Sequence, residues 1–279
     1  MTIKTILACL TSESTAGSVL SLSCALGRRH DAHLIALRII ESPVIYPAAE
    51  MPIPDSVYRE YDAMEAVKTA KLKTIFEKHT HAEDFASEWR EVKSEFYTPE
   101  DCIVESAGCA DIVVMAALEA GDERTMYIKL LERVIRYCGR PVLVVPATWQ
   151  TEPIGQSVLI GWNGSKEAVR AAHDALQLLQ PGDEVKIMKI SESSNGGELD
   201  ASIGDLAAAF DRYGINTTVL QRPWSNTGVS VALNKEAFEM GADMIAVGAF
   251  GHSRVYDLLI GAATRNMLGH SDFPVMFSR

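Results

Sequence analysis

The feature that most constrains this 279-residue chain is an internal repeat. The segment GCADIVVMAALEA at 108–120 returns as MGADMIAVGAFGH at 240–252, with Asp111 and Asp243 at equivalent positions. In both copies a small residue and an aspartate precede an apolar run of strand length. Such self-similarity predicts two similar structural units in tandem.

Two further pairs of segments extend the repeat over both halves of the chain. GRPVLVVP at 139–146 matches SDFPVMFS at 271–278, and IKTILACL at 3–10 matches QSVLIGWN at 156–163. Strands that are apolar at consecutive positions are buried on both faces, which is typical of a parallel sheet covered by helices. The repeat therefore predicts two units built on buried parallel strands.

Strand and helix patterns alternate in each half, which predicts a doubly wound α/β unit of five strands. The predicted strands lie near 3–9, 33–40, 86–93, 111–117 and 141–145, and near 157–162, 184–190, 215–221, 243–248 and 274–277. The predicted helices lie near 14–29, 56–79, 98–108 and 125–138, and near 165–179, 198–213, 226–240 and 262–269. PATWQTEPIG at 146–155 suits a linker, so we expect domains at 1–147 and 155–279.

The composition argues against several classes of partner. The formal net charge is −11 and the sequence has no basic run, so nucleic acid and anionic membrane surfaces are poor partners. The longest apolar runs have strand length, which predicts no membrane span, and the N-terminus is interpreted as the first strand and not as a signal peptide. Five cysteines without a CxxC motif favour reduced thiols, so we expect a cytoplasmic protein.

A glycine-rich junction follows the fourth predicted strand of the C-terminal half. Gly248 ends that strand, Gly251 permits a tight turn, and Gly261 stands where the N-cap of the next helix is expected. The amides of residues 262–264 would then open the helix without intrahelical partners, and such amides suit phosphate. The alternative is an ordinary connection whose glycines only make turns, since the chain contains neither GxxxxGK[ST] nor GxGxxG.

The pattern Gly-x2-Gly-x9-Gly-Ala-x-Thr, from Gly248 to Thr264, resembles the nucleotide-binding loop of the universal stress protein family. GWNGSKEAVRAAHDAL at 161–176 resembles that family's first loop and helix, and the likeness covers nearly the whole chain as two tandem copies. The resemblance implies two flavodoxin-like (Rossmann-like) α/β domains, each with a five-stranded parallel sheet in the order 3-2-1-4-5 and helices on both faces. It also implies a stress-response regulator that binds ATP, with or without Mg²⁺, or a similar adenine nucleotide.

The family's roles carry over residue by residue. They place Asn163 against the adenine or ribose, the backbone of Ile190 against the adenine, and the glycine loop around the ribose and phosphates. Trp162 either stacks on the adenine or packs beneath the first loop. Arg265 is added as a cation near the expected anion. The expected nucleotide-binding residues are Trp162, Asn163, Gly164, Ser165, Ile190, Val247, Gly248, Phe250, Gly251, His252, Arg254, Gly261, Ala262, Ala263 and Thr264.

The chain departs from the family pattern at two site positions. Asn163 replaces the usual aspartate, so it can hydrogen-bond but brings no negative charge. Ala262 replaces the usual serine, so it keeps the backbone donor and loses the hydroxyl.

The N-terminal half has lost the glycines of the loop. Ala116 stands in place of Gly248, and Glu119 stands in place of Gly251. Together with Asp122 and Glu123, Glu119 would put negative charge where a phosphate should lie. We therefore expect one nucleotide site per chain, in the C-terminal half, with the N-terminal half as a degenerate copy.

Other functions and assemblies stay open at the level of sequence. An adenylating enzyme would need a loop such as SGGxDS after a first strand, which the chain lacks, and slow ATP hydrolysis has no evident base or metal ligand. The proline- and tyrosine-rich segment 41–61 is a binder of an apolar ligand or a long β–α connection. His79 and His81 form a metal site or a solvated helix end. The resemblance implies that the fifth strands pair between the copies as an intramolecular pseudo-dimer, and a homodimer of whole chains is a further expectation.

Overall fold

The computed structural model describes residues 3–42, 54–95, 97–117, 124–150, 153–191, 201–224, 228–251 and 257–279. Its N-terminal half runs β1 (Thr5–Cys9), α1 (Glu13–His30), β2 (His33–Glu41), α2 (Asp55–Thr80), β3 (Ser87–Ser94), α3 (Pro99–Ala107), β4 (Ile112–Ala116), α4 (Arg124–Tyr137) and β5 (Val142–Val145). Its C-terminal half runs β6 (Ser157–Trp162), α5 (Lys166–Leu176), β7 (Glu184–Ser191), α6 (Ala201–Asp211), β8 (Asn216–Pro223), α7 (Val229–Met240), β9 (Met244–Gly248), α8 (Asp257–His270) and β10 (Val275–Ser278). The predicted alternation of strands and helices is confirmed.

The strands form one ten-stranded sheet in the order β3-β2-β1-β4-β5-β10-β9-β6-β7-β8. Within each half the neighbours are parallel, and the order is the predicted 3-2-1-4-5. The two halves join through an antiparallel pair of β5 and β10, in which Val144 lies opposite Val275. This pairing satisfies two strand edges that would otherwise be open.

Helices cover both faces of the sheet, and alternate strand residues belong to two separate cores. On β1, Ile6 belongs to the core that includes residues of α1, α2, α5 and α6, whereas Leu7 belongs to the core that includes residues of α3, α4, α7 and α8. Both side chains are fully buried, as the apolar runs predicted. Within the described part of the chain, no helix is both long and apolar enough to cross a membrane. The five cysteines are free, and Cys109 differs from the expected buried thiols because it is exposed.

The repeated aspartates have a structural role at the start of each central strand. The Asp111 carboxylate accepts hydrogen bonds from the backbone N–H groups of Lys4 (2.7 Å) and Thr5 (3.0 Å). The Asp243 carboxylate accepts three such bonds, at 2.7–3.0 Å, from residues 155–157. Burial raises the pKa of Asp243, and these N–H groups oppose the rise. Each aspartate therefore ties β1 or β6 to the loop before β4 or β9.

These bonds also correct the register of the repeat by one residue. The sequence paired 3–10 with 156–163, which sets Thr5 against Val158. In the structure Thr5 and Ser157 both donate to the aspartate of their own half, so they are equivalent. Thr11 is then the counterpart of Asn163. An apolar run has no internal period, so the sequence alone did not fix this register.

We predict that Asp243→Ala destabilises the protein by about 3 kcal/mol, because it leaves three strand-initial amides without their acceptor. Asp111→Ala removes two bonds at a more exposed site, so its expected cost is about 1 kcal/mol. Urea unfolding of both variants measures the difference. Equal losses would contradict the proposed role of burial.

Polar contacts also join the halves beside the end of α1. Arg29 forms an ion pair with Asp183 and donates to the Gly155 carbonyl at 3.3 Å. The Gln180 side-chain amide donates to the Arg29 carbonyl at 3.0 Å. Next to them His30 is 5% exposed, and its ring lies near the Leu178 backbone without a hydrogen bond of good geometry among the described residues. An uncharged imidazole is therefore buried at this boundary.

Protonation of His30 should weaken the fold. Burial lowers the pKa of His30 from 6.5 to about 4, and the Arg29 charge lowers it further, while the Leu178 backbone and Asp183 oppose the shift and Lys4 adds to it. The unfolded chain binds this proton near pH 6.5, so between pH 6.5 and 4 it binds more protons than the folded chain. Stability should therefore fall by about 3 kcal/mol as the pH is lowered through this window.

Urea unfolding at several pH values measures this dependence. In His30→Leu we expect the fall between pH 6.5 and 4 to shrink, because the buried titrating ring is gone. His173→Gln changes an exposed histidine of α5 and serves as the matched control, which should keep the wild-type dependence. A His30→Leu protein with an unchanged pH profile would show that His30 is not responsible.

Candidate functional site

The carboxyl ends of β6 and β9 form the crevice at which the strand order of the C-terminal half reverses. The two strands are parallel neighbours, with Gly161 opposite Val247, and the chain leaves them through Asn163 and Gly248. On the other side of β6, Ile190 lies next to the end of β7 and is partly buried. Ligands of doubly wound sheets bind at such a reversal, so the structure brings these predicted residues to the expected edge.

The loop after β6 is built by three local interactions. The Asn163 side-chain oxygen accepts a hydrogen bond from the Ser165 backbone N–H at 3.0 Å. Gly164 has φ +75°, a left-handed conformation in which a side chain is strained. The Ser165 hydroxyl caps α5 by accepting from the Ala168 N–H at 3.2 Å. Asn163 is exposed, so its side chain is accessible from solvent.

Gly248 is required by the close approach of α5. A Cβ at position 248 would lie 2.5 Å from the Glu167 carbonyl carbon and 2.6 Å from the Ala168 nitrogen, both backbone atoms. The first turn of α5 therefore lies directly against the end of β9. The close packing against α5 explains why position 248 is a glycine. A ligand at the same strand end would be compatible with this packing.

Gly251 faces a side chain of the same helical turn. A Cβ at position 251 would lie 2.6 Å from Glu167 Oε2 and 3.1 Å from its Cδ. The Glu167 side chain is only 4% exposed. A buried carboxylate thus lies beside the loop at which the sequence predicted a phosphate. Sequence reasoning missed Glu167, although an acidic residue in the first turn after a capping serine was a visible signal.

Phe250 connects the loop to the N-terminal half. Its backbone has φ +54°, which is unusual for a residue with a side chain, and its ring is buried. The guanidinium of Arg136, on α4, lies 3.7 Å from the ring centroid. A cation–π contact of this kind contributes about 0.5–2 kcal/mol. The predicted nucleotide loop is therefore braced by a residue of the other half.

The start of α8 differs from the expectation. The helix begins at Asp257 and not near 262, so Gly261 lies inside it and is not its N-cap. Amides more than four residues into an α-helix bond to earlier carbonyls, so those of Ala262, Ala263 and Thr264 are not free donors in this conformation. The Thr264 side chain is buried. His252 and Arg254 lie outside the described residues.

Three other predicted side chains have contacts that turn them away from a ligand. The Trp162 ring is buried in the core, and its N–H donates to the Ser202 hydroxyl at 3.4 Å, so the packing alternative is the observed one. Val247 is buried within β9. Arg265 forms an ion pair with Glu132 of α4 at 2.6 Å, which raises the pKa of its guanidinium and links the halves.

Comparison with known proteins identifies this architecture. The model of the universal stress protein family matches the chain twice, over residues 2–146 and 156–279. The chain belongs to the universal stress protein family. The predicted family and the predicted fold class are thus confirmed.

Individual relatives of this universal stress protein are distant. It is 23% identical over 186 residues to Universal stress protein Slr1230 of Synechocystis sp. (strain ATCC 27184 / PCC 6803 / Kazusa). That match covers 64% of this chain and 61% of the relative, so the chain spans less than two thirds of the relative's length. A crystal structure of a universal stress protein from Archaeoglobus fulgidus DSM 4304 shares the fold, with a TM-score of 0.72, 17% identity and coverage of 99% and 96% of the two chains. A universal stress protein from Archaeoglobus fulgidus in complex with dAMP covers 52% of this chain and 99% of its own, with 17% identity and a TM-score of 0.35.

The universal stress protein unit of the N-terminal half has a filled crevice. Tyr127, on α4, is buried between the ends of β1 and β4, and its hydroxyl donates to the Ala116 carbonyl at 3.0 Å. Thr11, the counterpart of Asn163, lies next to this hydroxyl, and burial raises the pKa of Tyr127. Ala116 is the counterpart of Gly248. The side chain of Tyr127 therefore lies at the carboxyl ends of β1 and β4, where the crevice of this half is expected. The predicted acidic residues Glu119, Asp122 and Glu123 lie outside the described residues.

His79 and His81 lie at the C-terminal end of α2. His79 Nδ1 lies 2.8 Å from the Ile75 carbonyl within α2, and His81 is the C-cap of that helix. Among the described residues, no three histidine, cysteine, aspartate or glutamate side chains are grouped as a metal site. Residues 43–53, which carry three of the four prolines of segment 41–61, lie outside the described residues.

We predict that Gly248→Ala destabilises the protein by about 1–3 kcal/mol, because the added methyl would collide with the α5 backbone. Gly251→Ala should cost less, because the atom in its way is the end of the Glu167 side chain, which can rotate. Thermal and urea unfolding of the two variants measure the ranking. A larger loss for Gly251→Ala would show that Glu167 is rigidly held.

Proposed function

We propose that this universal stress protein binds one adenine nucleotide per chain, ATP in the first place, at the carboxyl ends of β6 and β9. The observation that carries the proposal is the juxtaposition of the glycine loop after β9 with the capped loop after β6, at the reversal of strand order. Backbone amides and small residues at such a point can contact a ligand closely. The family membership supports the same assignment.

The proposed contacts follow the two loops. Asn163 would hydrogen-bond to the adenine or ribose, with Gly164 and Ser165 shaping the loop around it. The backbone of Ile190 would meet the adenine, and the ends of the β9 segment, Val247 and Gly248, would border the ribose. These assignments use the exposed amide of Asn163 and the strand ends, and they give no role to the buried Trp162 ring.

The proposed phosphate contacts come from the glycine loop. The backbone of Phe250 and Gly251 would lie closest to the phosphates, with His252 and Arg254 as neighbouring contacts. Participation of Gly261, Ala262, Ala263 and Thr264 requires that α8 begin later than Asp257 when nucleotide is bound. The proposal therefore includes an unwinding of the first turn of α8, and Mg²⁺ would accompany the phosphates of ATP.

We propose that the N-terminal half binds no nucleotide and supports the site. The Tyr127 side chain fills its crevice, and its α4 supplies Arg136 to the loop and Glu132 to α8. We propose that the two halves form an intramolecular pseudo-dimer through the antiparallel pairing of β5 with β10. We further propose a regulatory role without catalysis, carried out in the cytoplasm, where free cysteines remain reduced.

Isothermal titration calorimetry tests the number and place of the sites. We expect one ATP per chain in the wild type, and loss of binding in Gly251→Glu, which copies Glu119 of the N-terminal half and brings charge to the loop. Ser14→Glu adds the same charge at the exposed first turn of α1 and is the matched control, which should bind as the wild type does.

The outcomes separate the interpretations. Two equivalent ATP molecules per chain would contradict the single-site proposal. Equal binding by the wild type and Gly251→Glu would place the nucleotide elsewhere. Absence of binding in the wild type would mean that the glycine loop only makes turns.

A further inference from the structure

We infer that the Glu167 carboxylate competes with the nucleotide's phosphates for the space at Gly251 and so sets which adenine compounds the site accepts. The inference rests on the proposed nucleotide function. It assigns a specificity-determining role to a side chain that the sequence pattern did not single out.

The geometry places the carboxylate at the loop itself. Glu167 Oε2 is 2.6 Å from where a Cβ of Gly251 would lie, so one carboxylate oxygen occupies the space beside the glycine that a side chain would need. The side chain is buried, and it fills the side of Gly251 that faces α5. A phosphate that closes on the Gly251 amide would have to share this space with Glu167 or displace it.

The charge of Glu167 is weakly compensated. Within the described part of the chain its ion-pair partner is Lys166, at 3.7 Å, whose side chain is 83% exposed and therefore screened by water. Two other buried carboxylates of the same half have closer partners. Asp174 accepts two bonds from Arg170 at 2.9 and 3.0 Å, and Glu236 lies 2.8 Å from Lys186 Nζ.

A buried carboxylate whose described cationic partner is exposed to water costs free energy. The charge of Glu167 should affect ligands with phosphate groups and not ligands without them. A like charge within about 4–6 Å disfavours an anion. Adenosine carries no phosphate and does not meet this repulsion, whereas ATP meets it fully. Glu167 should therefore lower the affinity of the site for ATP and leave its affinity for adenosine unchanged.

Calorimetric titration of Glu167→Gln with ATP and with adenosine tests the inference. Glutamine keeps the size and removes the charge, so ATP should bind about tenfold more tightly or better, and adenosine should bind as it does to the wild type. Glu13→Gln removes an equivalent charge from the first turn of α1, where Glu13 is exposed and paired with Lys71 at 3.1 Å. This control should change neither affinity.

Glu167→Asp provides a second variant in case the glutamine side chain disturbs the fold. The aspartate keeps the charge and draws it back from Gly251 by one methylene, so its ATP affinity should fall between those of the wild type and Glu167→Gln. Unchanged ATP binding in both Glu167 variants, or equal changes for ATP and adenosine, would overturn the inference while leaving the nucleotide site intact. Absence of both ligands from every variant would overturn the proposed nucleotide function itself.

Discussion

The antiparallel pairing of β5 with β10 is the interaction on which the arrangement of the molecule depends. It closes the two edges that the tandem units would otherwise expose, and it makes one sheet of two. Because the fifth strands meet, α4 and α8 lie side by side on one face. The Glu132–Arg265 ion pair and the Arg136–Phe250 contact both depend on this placement. The contacts that brace the loop after β9 thus depend on the pairing of β5 with β10.

The two copies of the repeat share the same scaffold but differ in the side chains at their crevices. Asp111 and Asp243 still hold the central strands in the same way, although the side chains at the strand ends differ. A tyrosine fills one crevice, whereas glycines leave the other open to backbone contact from α5. The shared aspartate contacts therefore hold the strands of both halves, while the side chains at the strand ends distinguish the two crevices.

The fold could be predicted from the sequence because buried parallel strands appear as apolar runs and the repeat confirms each one. Within the candidate site, local rules predicted the turn at Asn163 and the cap at Ser165, because the residues that form them are neighbours in the sequence. The packing reason for Gly248 could not be predicted, because it depends on the approach of α5. The start of α8 could not, because a glycine inside a helix costs only about 1 kcal/mol and the helical pattern extends back to Asp257. The positions of Glu167 and Tyr127 depend on how helices approach the sheet, which no short sequence window contains.

The left-handed backbone of Phe250 makes one repeat depend on the other. A left-handed conformation costs a residue with a side chain about 1–2 kcal/mol, which is close to the contribution of a cation–π contact. The strain thus belongs to one repeat, and the compensating contact belongs to the other. A substitution of Arg136 in the N-terminal repeat would therefore act on the loop of the C-terminal repeat. In this respect the two repeats behave as one structural unit.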